Sequence, residues 1–277
     1  MIKIFQINDV NPELLELQVA SFKKYLQEDF ELTVFSSEAF THDPKKAKKV
    51  REVCRSLSIQ VIDVQRDSVI EAAFKKSLNT SAFGEDDRYA GGLCGHGFNF
   101  ALQWAWEKVI SKEQGLICLL HADVLLMEPI KFTDYLREQP LCFKPIGSIA
   151  HMWDALVLAD MSKLPDPEAI VWLPSTVEGE WRDTGGPTYY WLKAHPEVKR
   201  LLLSDTHISD DSATDFHPSR YSFFNLPDGK RVFHYHSGSR WYTNMSAYLN
   251  LSIEKSNEYH ERKLAFTRKV IGITETK

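Results

Sequence analysis

Two side chains that bind metal ions well, His121 and Asp123, stand one residue apart in LICLLHADVLLMEPI, residues 116–130. An apolar run precedes them, and another follows as far as Glu128-Pro129. On an extended backbone the side chains at i and i+2 point the same way. An imidazole and a carboxylate at the end of a buried strand can therefore meet on one cation. That pair suits Mn²⁺, and suits Mg²⁺ less because Mg²⁺ prefers oxygen. The local alternative is that Asp123 caps a turn and His121 is a satisfied core histidine. A second cluster, RVFHYHSGSRWY (231–242), alternates His234 and His236 on a strand ending at Ser237-Gly238, with Arg240 and Trp241 beyond. A neutral imidazole is a good ligand, glycine lets a phosphate approach the backbone, and the guanidinium fork of Arg240 matches oxyanions. The plain alternative is an edge strand closed by a Trp-anchored turn.

A third stretch, EWRDTGGPTYYWLKAH (180–195), sets Asp183-Thr184 before Gly185-Gly186, with Pro187 in the first turn of a helix. Asp183 is a candidate general base, and the backbone at Gly185 and Gly186 a candidate to hydrogen-bond hydroxyl groups of a ligand. The alternative is a helix N-cap and two turn glycines. Weaker signals come from Asn8 and Asp9 after the first strand, which also read as turn formers. Asp86, Asp87 and Arg88 precede a helix that carries Asn99, and Trp153-Asp154 follows a glycine-containing segment. The lysine run at 45–49 reads as a solvated helix face.

The elements that must position these residues alternate through the first half of the chain. IKIFQI (2–7), ELTVFS (31–36) and SIQVIDV (58–64) are apolar, β-prone runs. Between them, Asn11-Pro12 opens a helix through residue 27 and Asp43-Pro44 opens a lysine-rich helix through residue 57. Residues 68–77 read as helix, 79–95 as a polar, glycine-bearing loop, and 96–110 as a helix with apolar residues at helical spacing, stopped by Gly115 before the LICLL strand. Strands separated by helices imply a parallel sheet, and ligands of such sheets collect beyond the carboxyl ends of the strands. Asn8-Asp9 and His121-Ala122-Asp123 both fall at that edge. The second half is rich in Trp, Pro, Gly and His, with short apolar runs such as ALVLADM (155–161), and reads as an antiparallel or loop-rich addition to the same sheet. A charged helix is expected from 246 to about 270.

The segment NFALQWAWEKVISKEQGLICLLHADVLLMEPI (99–130) resembles the centre of GT-A-fold glycosyltransferases, where an Asn-containing helix precedes an apolar strand ending in Asp-x-Asp. Asp123 matches the last position of that motif, while His121 stands at its first acidic position. RVFHYHSGSRWY resembles the His-x-x-Gly…Trp element of some of these enzymes, notably family 8, and the chain as a whole resembles family 8 or family 2-like enzymes with His-Ala-Asp in place of Asp-x-Asp. The resemblance implies an α/β fold, a GT-A-like three-layer sandwich with a mostly parallel central sheet and an irregular C-terminal half. It implies one domain over 1–277, with a nucleotide-sugar-binding half (1–130), an acceptor and sugar half (131–245) and a C-terminal helical segment (246–277). The activity implied is transfer of a sugar, of hexosyltransferase type, from a nucleotide-diphosphate sugar to a carbohydrate or other hydroxyl acceptor, assisted by Mn²⁺ or Mg²⁺. His121, Asp123, His234 and His236 are then the metal ligands, with His236 preferred over His234, and Asp183 is the catalytic base. Asn8, Asp9, Asp87, Arg88, Asn99, Trp153, Asp154, Gly185, Gly186, Gly238, Arg240 and Trp241 become nucleotide and sugar contacts.

Two other functions compete with this reading. A sugar-phosphate nucleotidyltransferase uses a related sheet, but with a glycine- and basic-rich loop after the first strand, where INDVNPELLE is acidic and lacks glycine. A carbohydrate-binding protein that kept the sheet and lost catalysis draws support from His121. The letters His-Ala-Asp do not indicate a haloacid-type phosphatase, which needs an Asp-x-Asp pair just after the first strand, and FQINDV does not supply one. Among 277 residues the net charge is −5, so no global basic field points to nucleic acid. No apolar stretch reaches eighteen residues, the N-terminus reads as a strand rather than a signal peptide, and a cytoplasmic protein is expected. Cys54, Cys94, Cys118 and Cys142 are widely spaced, without a CxxC pair, and read as free thiols of a reducing compartment. No P-loop, GxSxG, HExxH or dinucleotide fingerprint occurs.

Overall fold

The structure, a computed structural model, describes residues 1–8, 11–36, 44–79, 93–147, 150–209, 220–235 and 252–273. The first half is the expected alternation: β1 (Ile2–Ile7), α1 (Pro12–Tyr25), β2 (Phe30–Ser36), α2 (Pro44–Ser56), β3 (Gln60–Asp63), α3 (Ser68–Asn79), α4 (Leu93–Lys108) and β4 (Leu116–Leu120). Then come β5 (Val124–Leu126), β6 (Leu141–Ile146), β7 (His151–Asp160), β8 (Ser175–Val177), β9 (Glu180–Arg182) and α5 (Thr188–Ala194). The chain continues through β10 (Arg200–Leu202), β11 (Ser204–Ser209), β12 (Arg220–Asn225), β13 (Arg231–His234) and α6 (Ile253–Val270).

A seven-stranded sheet runs in the order β10-β6-β7-β4-β1-β2-β3. β7 is antiparallel to its neighbours β4 and β6, and the other pairs are parallel. The central strands are apolar on both faces because both faces are covered. Ile2, Ile4, Cys118 and Leu120 pack with Leu15, Val19 and Phe22 of α1 and Val50 of α2. Phe5, Ile117 and Leu119 pack on the other side with Phe100, Ala101 and Trp106 of α4. The result is the expected three-layer α/β sandwich. α2 buries Ala47, Val50 and Cys54 and exposes Lys45, Lys48 and Lys49, in agreement with the solvated-face reading. α4 begins at Leu93, three residues before the expected start, and α6 is described from Ile253 with Ser252 capping it by accepting from the Lys255 amide.

A second, four-stranded sheet in the order β11-β12-β13-β5 is antiparallel throughout. It takes the apolar residues just after Asp123 and pairs them with a late strand, an assignment not foreseen above. α6 packs beneath it: Leu264 and Ile271 join Leu14 and Leu17 of α1 and Tyr221, Phe233 and Tyr235. On the same buried stripe, His260 lies 2.9 Å from the Tyr235 hydroxyl through Nδ1. Burial first, then the charges of Lys46, Lys263 and Arg268, push the His260 pKa down to about 4. Between pH 6.5 and 4 the unfolded chain therefore binds a proton at this residue that the folded chain does not, so stability falls with falling pH across that window. Urea unfolding at pH 7, 5 and 4 is expected to show a loss, of about 3 kcal/mol at most, that is absent from His260→Gln, which keeps an acceptor for Tyr235. An equal acid slope in the two proteins would exclude His260 as its cause.

Candidate functional site

β1 and β4 lie side by side at the centre of the sheet, where the strand order reverses: β2 and β3 follow outward from β1 on one side, and β7, β6 and β10 lie beyond β4 on the other. The crevice beyond such a switch point is where open α/β sheets bind ligands. β4 ends there. The His121 amide donates to the Ala155 carbonyl at 3.1 Å, and the Val124 amide to the His121 carbonyl at 3.2 Å, so residues 121–124 form a turn that leads into β5. His121 and Asp123 thus meet around a turn, not along an extended strand as their spacing suggested. The turn wins because β5 must leave the first sheet to enter the second.

Buried side chains hold that turn in place. Gln18 of α1 donates through Nε2 to the carbonyls of His121 at 2.9 Å and Val124 at 2.8 Å. The Ser21 hydroxyl donates to the Gln18 carbonyl at 2.7 Å and accepts from the Leu126 amide at 3.1 Å. From the other side, the Tyr235 amide donates to the Asp123 carbonyl at 2.8 Å, and His234 pairs with Val124 in the β13–β5 register. Asp123 Oδ1 then lies 3.3 Å from His234 Nε2 and 3.8 Å from His121 Nδ1. The other ring nitrogens are also engaged: His121 Nε2 is 2.6 Å from Asp154 Oδ2, and His234 Nδ1 is 3.3 Å from the Ser222 hydroxyl. Asp123, His234 and Asp154 are buried, while His121 is half-buried.

Electrostatics separate the two imidazoles. Burial opposes charge on both. For His121 the carboxylates of Asp154, Asp123 and Asp183 outweigh it and raise the pKa. For His234 burial prevails over Asp123, with the charges of His121 and Lys263 adding to it, and the pKa falls. Lys263, buried with its ammonium 4.2 Å from the Tyr235 ring centre and 5.0 Å from that of Tyr221, is pushed down to about 7 by burial, against the pull of Asp123. Aromatic rings hold the imidazole planes. Phe224 stacks on His234 at 5.4 Å, Trp153 stands edge-on to it at 5.2 Å, and Phe98 stands edge-on to His121 at 5.3 Å.

The donor set fits a divalent cation. The three ligand atoms of His121, Asp123 and His234 lie within 4.8 Å of one another. Bonds of about 2.1 Å place neighbouring ligand atoms roughly 3–4 Å apart, which matches the two distances to Asp123. Of the expected metal ligands, His236 lies outside the described residues, as do Asp9, Asp87, Arg88, Gly238, Arg240 and Trp241.

The Asp183 segment approaches from β9. The Gly186 amide donates to the Asp183 carbonyl at 3.0 Å, with Gly185 at φ +80°, which closes a tight turn into α5. The Asp183 carboxylate is exposed, accepts from the Thr184 amide at 2.8 Å, and is close enough to act on His121. The Thr184 hydroxyl donates to the side-chain oxygen of buried Asn99, joining this turn to α4. The Gly185 amide donates to the Trp172 carbonyl at 3.0 Å, so both glycine N–H groups are bonded inside the protein, not presented to a sugar. Asn8 is likewise engaged locally, its side chain accepting from the Asn11 amide at 3.2 Å, as the turn-forming alternative anticipated. Trp153 lines the wall beside the two histidines, with the Lys144 ammonium 5.5 Å from its ring centre.

Gln18, Ser222 and Lys263 escaped sequence reasoning. For two of them a signal existed: Gln18 and Lys263 sit on the apolar stripes of amphipathic helices, beside Leu14, Leu15 and Phe22 in one case and Leu264 and Ile271 in the other. A polar residue on such a stripe is buried with a partner or a task.

The sequence matches no protein-family model and no curated protein. Among solved structures, the chain is similar to mouse xyloside xylosyltransferase 1 in its apo form, with 13% identity and a TM-score of 0.41 over 73% of this chain and 85% of that one. It is similar to the PaToxG glycosyltransferase, with 10% identity and a TM-score of 0.35 over 58% of this chain and 56% of that one. It is also similar to the galactosyltransferase LgtC in complex with donor and acceptor sugar analogues, with 12% identity and a TM-score of 0.36 over 72% and 66% of the two chains.

Proposed function

We propose that this chain is a glycosyltransferase that moves a sugar from a nucleotide-diphosphate sugar to an acceptor hydroxyl, with a divalent cation held by His121, Asp123 and His234. One observation carries the reading. A carboxylate at the motif position that resembles the end of Asp-x-Asp meets a late histidine and His121 in the crevice beyond the central strands. When bound, the cation neutralises the diphosphate leaving group. Asp123, His234 and His121 would hold the ion, and Asp154, 2.6 Å from Nε2 of His121, would leave the Nδ1 of that ring available to it. Trp153 offers a face to the sugar. The acceptor oxygen attacks the anomeric carbon, the bond from that carbon to the diphosphate oxygen breaks, and the nucleoside diphosphate leaves. Asp183, exposed and near enough to His121 to act on its charge, would take the acceptor proton. On this reading Asn99 acts through Thr184, and Arg240, Gly238 and Trp241 contribute to diphosphate binding.

The test is a panel of nucleotide-diphosphate sugars with Mn²⁺. Release of nucleoside diphosphate is expected, together with stabilisation of the protein by nucleoside diphosphate and Mn²⁺ of roughly 5 °C at saturating concentrations. Pyrophosphate release from a nucleoside triphosphate and a sugar phosphate would instead identify a nucleotidyltransferase. No turnover and no stabilisation by any donor would leave only a catalytically inactive relative.

A further inference from the structure

α2 carries a concentration of charge opposite in sign to that of the chain as a whole. Its 13 residues hold the cations Lys45, Lys46, Lys48, Lys49, Arg51 and Arg55 against a single carboxylate, Glu52, in a protein of net charge −5. Helical spacing gathers Lys45, Lys48, Lys49, Glu52 and Arg55 on one exposed face, opposite the buried Ala47, Val50 and Cys54. Arg51 turns aside to Asp63 of β3, but among the described residues Lys45, Lys48, Lys49 and Arg55 take no carboxylate partner. α2 leaves the carboxyl end of β2 and returns to the start of β3, and those strands are parallel. Its first turns therefore lie at the edge of the sheet where the candidate site opens. Lys46, half-buried there, is near enough to act on the charge of His260, whose Nδ1 is bonded to Tyr235, the neighbour of His234.

A face of this kind matches a surface of negative charge. Clusters of Lys and Arg on an amphipathic helix suit anionic lipid head groups, each cation near the surface adding about fivefold to the affinity. Nucleic acid is the poorer partner. The chain as a whole is acidic, and α2 has no aromatic side chain on which a base would stack. The basic face is also the convex outside of a helix, not a groove that follows a phosphate backbone. We propose that the exposed basic face of α2 docks the protein on an anionic lipid bilayer, with the carboxyl edge of the central sheet brought close to the head groups. Docking of this kind does not depend on sugar transfer.

The test is co-sedimentation of the chain, without any nucleotide sugar, with vesicles of phosphatidylcholine alone or with phosphatidylserine as about a third of the lipid. Binding is expected only to the anionic vesicles, with a loss of more than about tenfold at roughly 1 M salt, where the Debye length is about 3 Å. Lys48→Glu combined with Lys49→Glu, which reverses two charges of the face, is expected to weaken binding by about tenfold or more while the protein still unfolds at the wild-type temperature. Lys75→Glu combined with Lys76→Glu makes the same change in net charge on exposed residues of α3, which packs on the other side of the sheet through Ile70. That pair is expected to stay within about threefold of wild type. If the α2 variant does not fold, Lys45→Ala, Lys48→Ala and Lys49→Ala together decide in the same way. Equal binding to the two kinds of vesicle, or equal losses in the α2 and α3 variants, overturns the proposal. Binding to a short duplex RNA with none to anionic vesicles also overturns it and assigns the face to nucleic acid. Failure to sediment with anionic vesicles overturns the docking and leaves the proposed transfer untouched. A chain that docks through α2 but turns over no donor sinks the transferase reading alone.

Discussion

Asp123→Asn is expected to abolish binding of a divalent cation and to lower turnover of a nucleotide-diphosphate sugar by about a thousandfold or more, since loss of the ion removes several kcal/mol of leaving-group stabilisation. The reason is geometric. Asp123 is the one carboxylate in the cluster of three described ligands, and it stands between the two imidazoles. Asparagine keeps the shape, so Gln18, Tyr235 and the β5–β13 ladder, which hold the turn by its backbone, remain in place. Only the charge goes. Lys263, whose ammonium Asp123 favours against burial, then titrates lower still. Calorimetric titration with Mn²⁺, alongside a urea melt of the metal-free protein, separates loss of the site from loss of the fold. A Mn²⁺ affinity within threefold of wild type would remove Asp123 from the proposed metal centre.

Gly185→Ala is expected to be the most damaging single methyl group that can be added near the site. Gly185 has φ +80°, a conformation that costs alanine about 1 kcal/mol. Its amide is bonded to the Trp172 carbonyl, and the new Cβ would collide with the Met152 carbonyl oxygen while touching the Trp172 ring at 3.4 Å. Met152 is itself held by the Thr188 hydroxyl at 2.8 Å, and Trp172 is fully buried, so neither neighbour yields cheaply. A destabilisation of roughly 3–5 kcal/mol follows. Because Trp153 and Asp154 follow Met152 on β7, Mn²⁺ affinity should drop as well. Gly179→Ala is the control: at φ +83° it bears the same backbone cost, but nothing lies within 4 Å of its Cβ. It should lose only about 1 kcal/mol. Equal losses for the two variants in urea unfolding would show that the contact with Met152 does not matter.

By itself the sequence determined the elements whose pattern is local. The apolar runs of β1, β2 and β4, the proline-opened helices α1 and α2, and the glycine-bearing turn before α5 were all readable, because strand alternation, helix periodicity and turn chemistry act over a few residues. It also marked Asp123 as the carboxylate at the edge where a parallel sheet binds its ligands. Tertiary structure alone decided the rest. The His121–Asp123 pair meets around a turn because β5 leaves for a second sheet, and that sheet is closed by β13, more than a hundred positions later in the chain. The same pairing brings His234 to Asp123, while β7, running antiparallel beside β4, delivers Asp154 to His121. Gln18 and Lys263 acquire their places only when α1 and α6 pack against those strands. Contacts of this kind depend on which distant segments close on one another, and strand periodicity gives the same signal whichever neighbour a strand chooses.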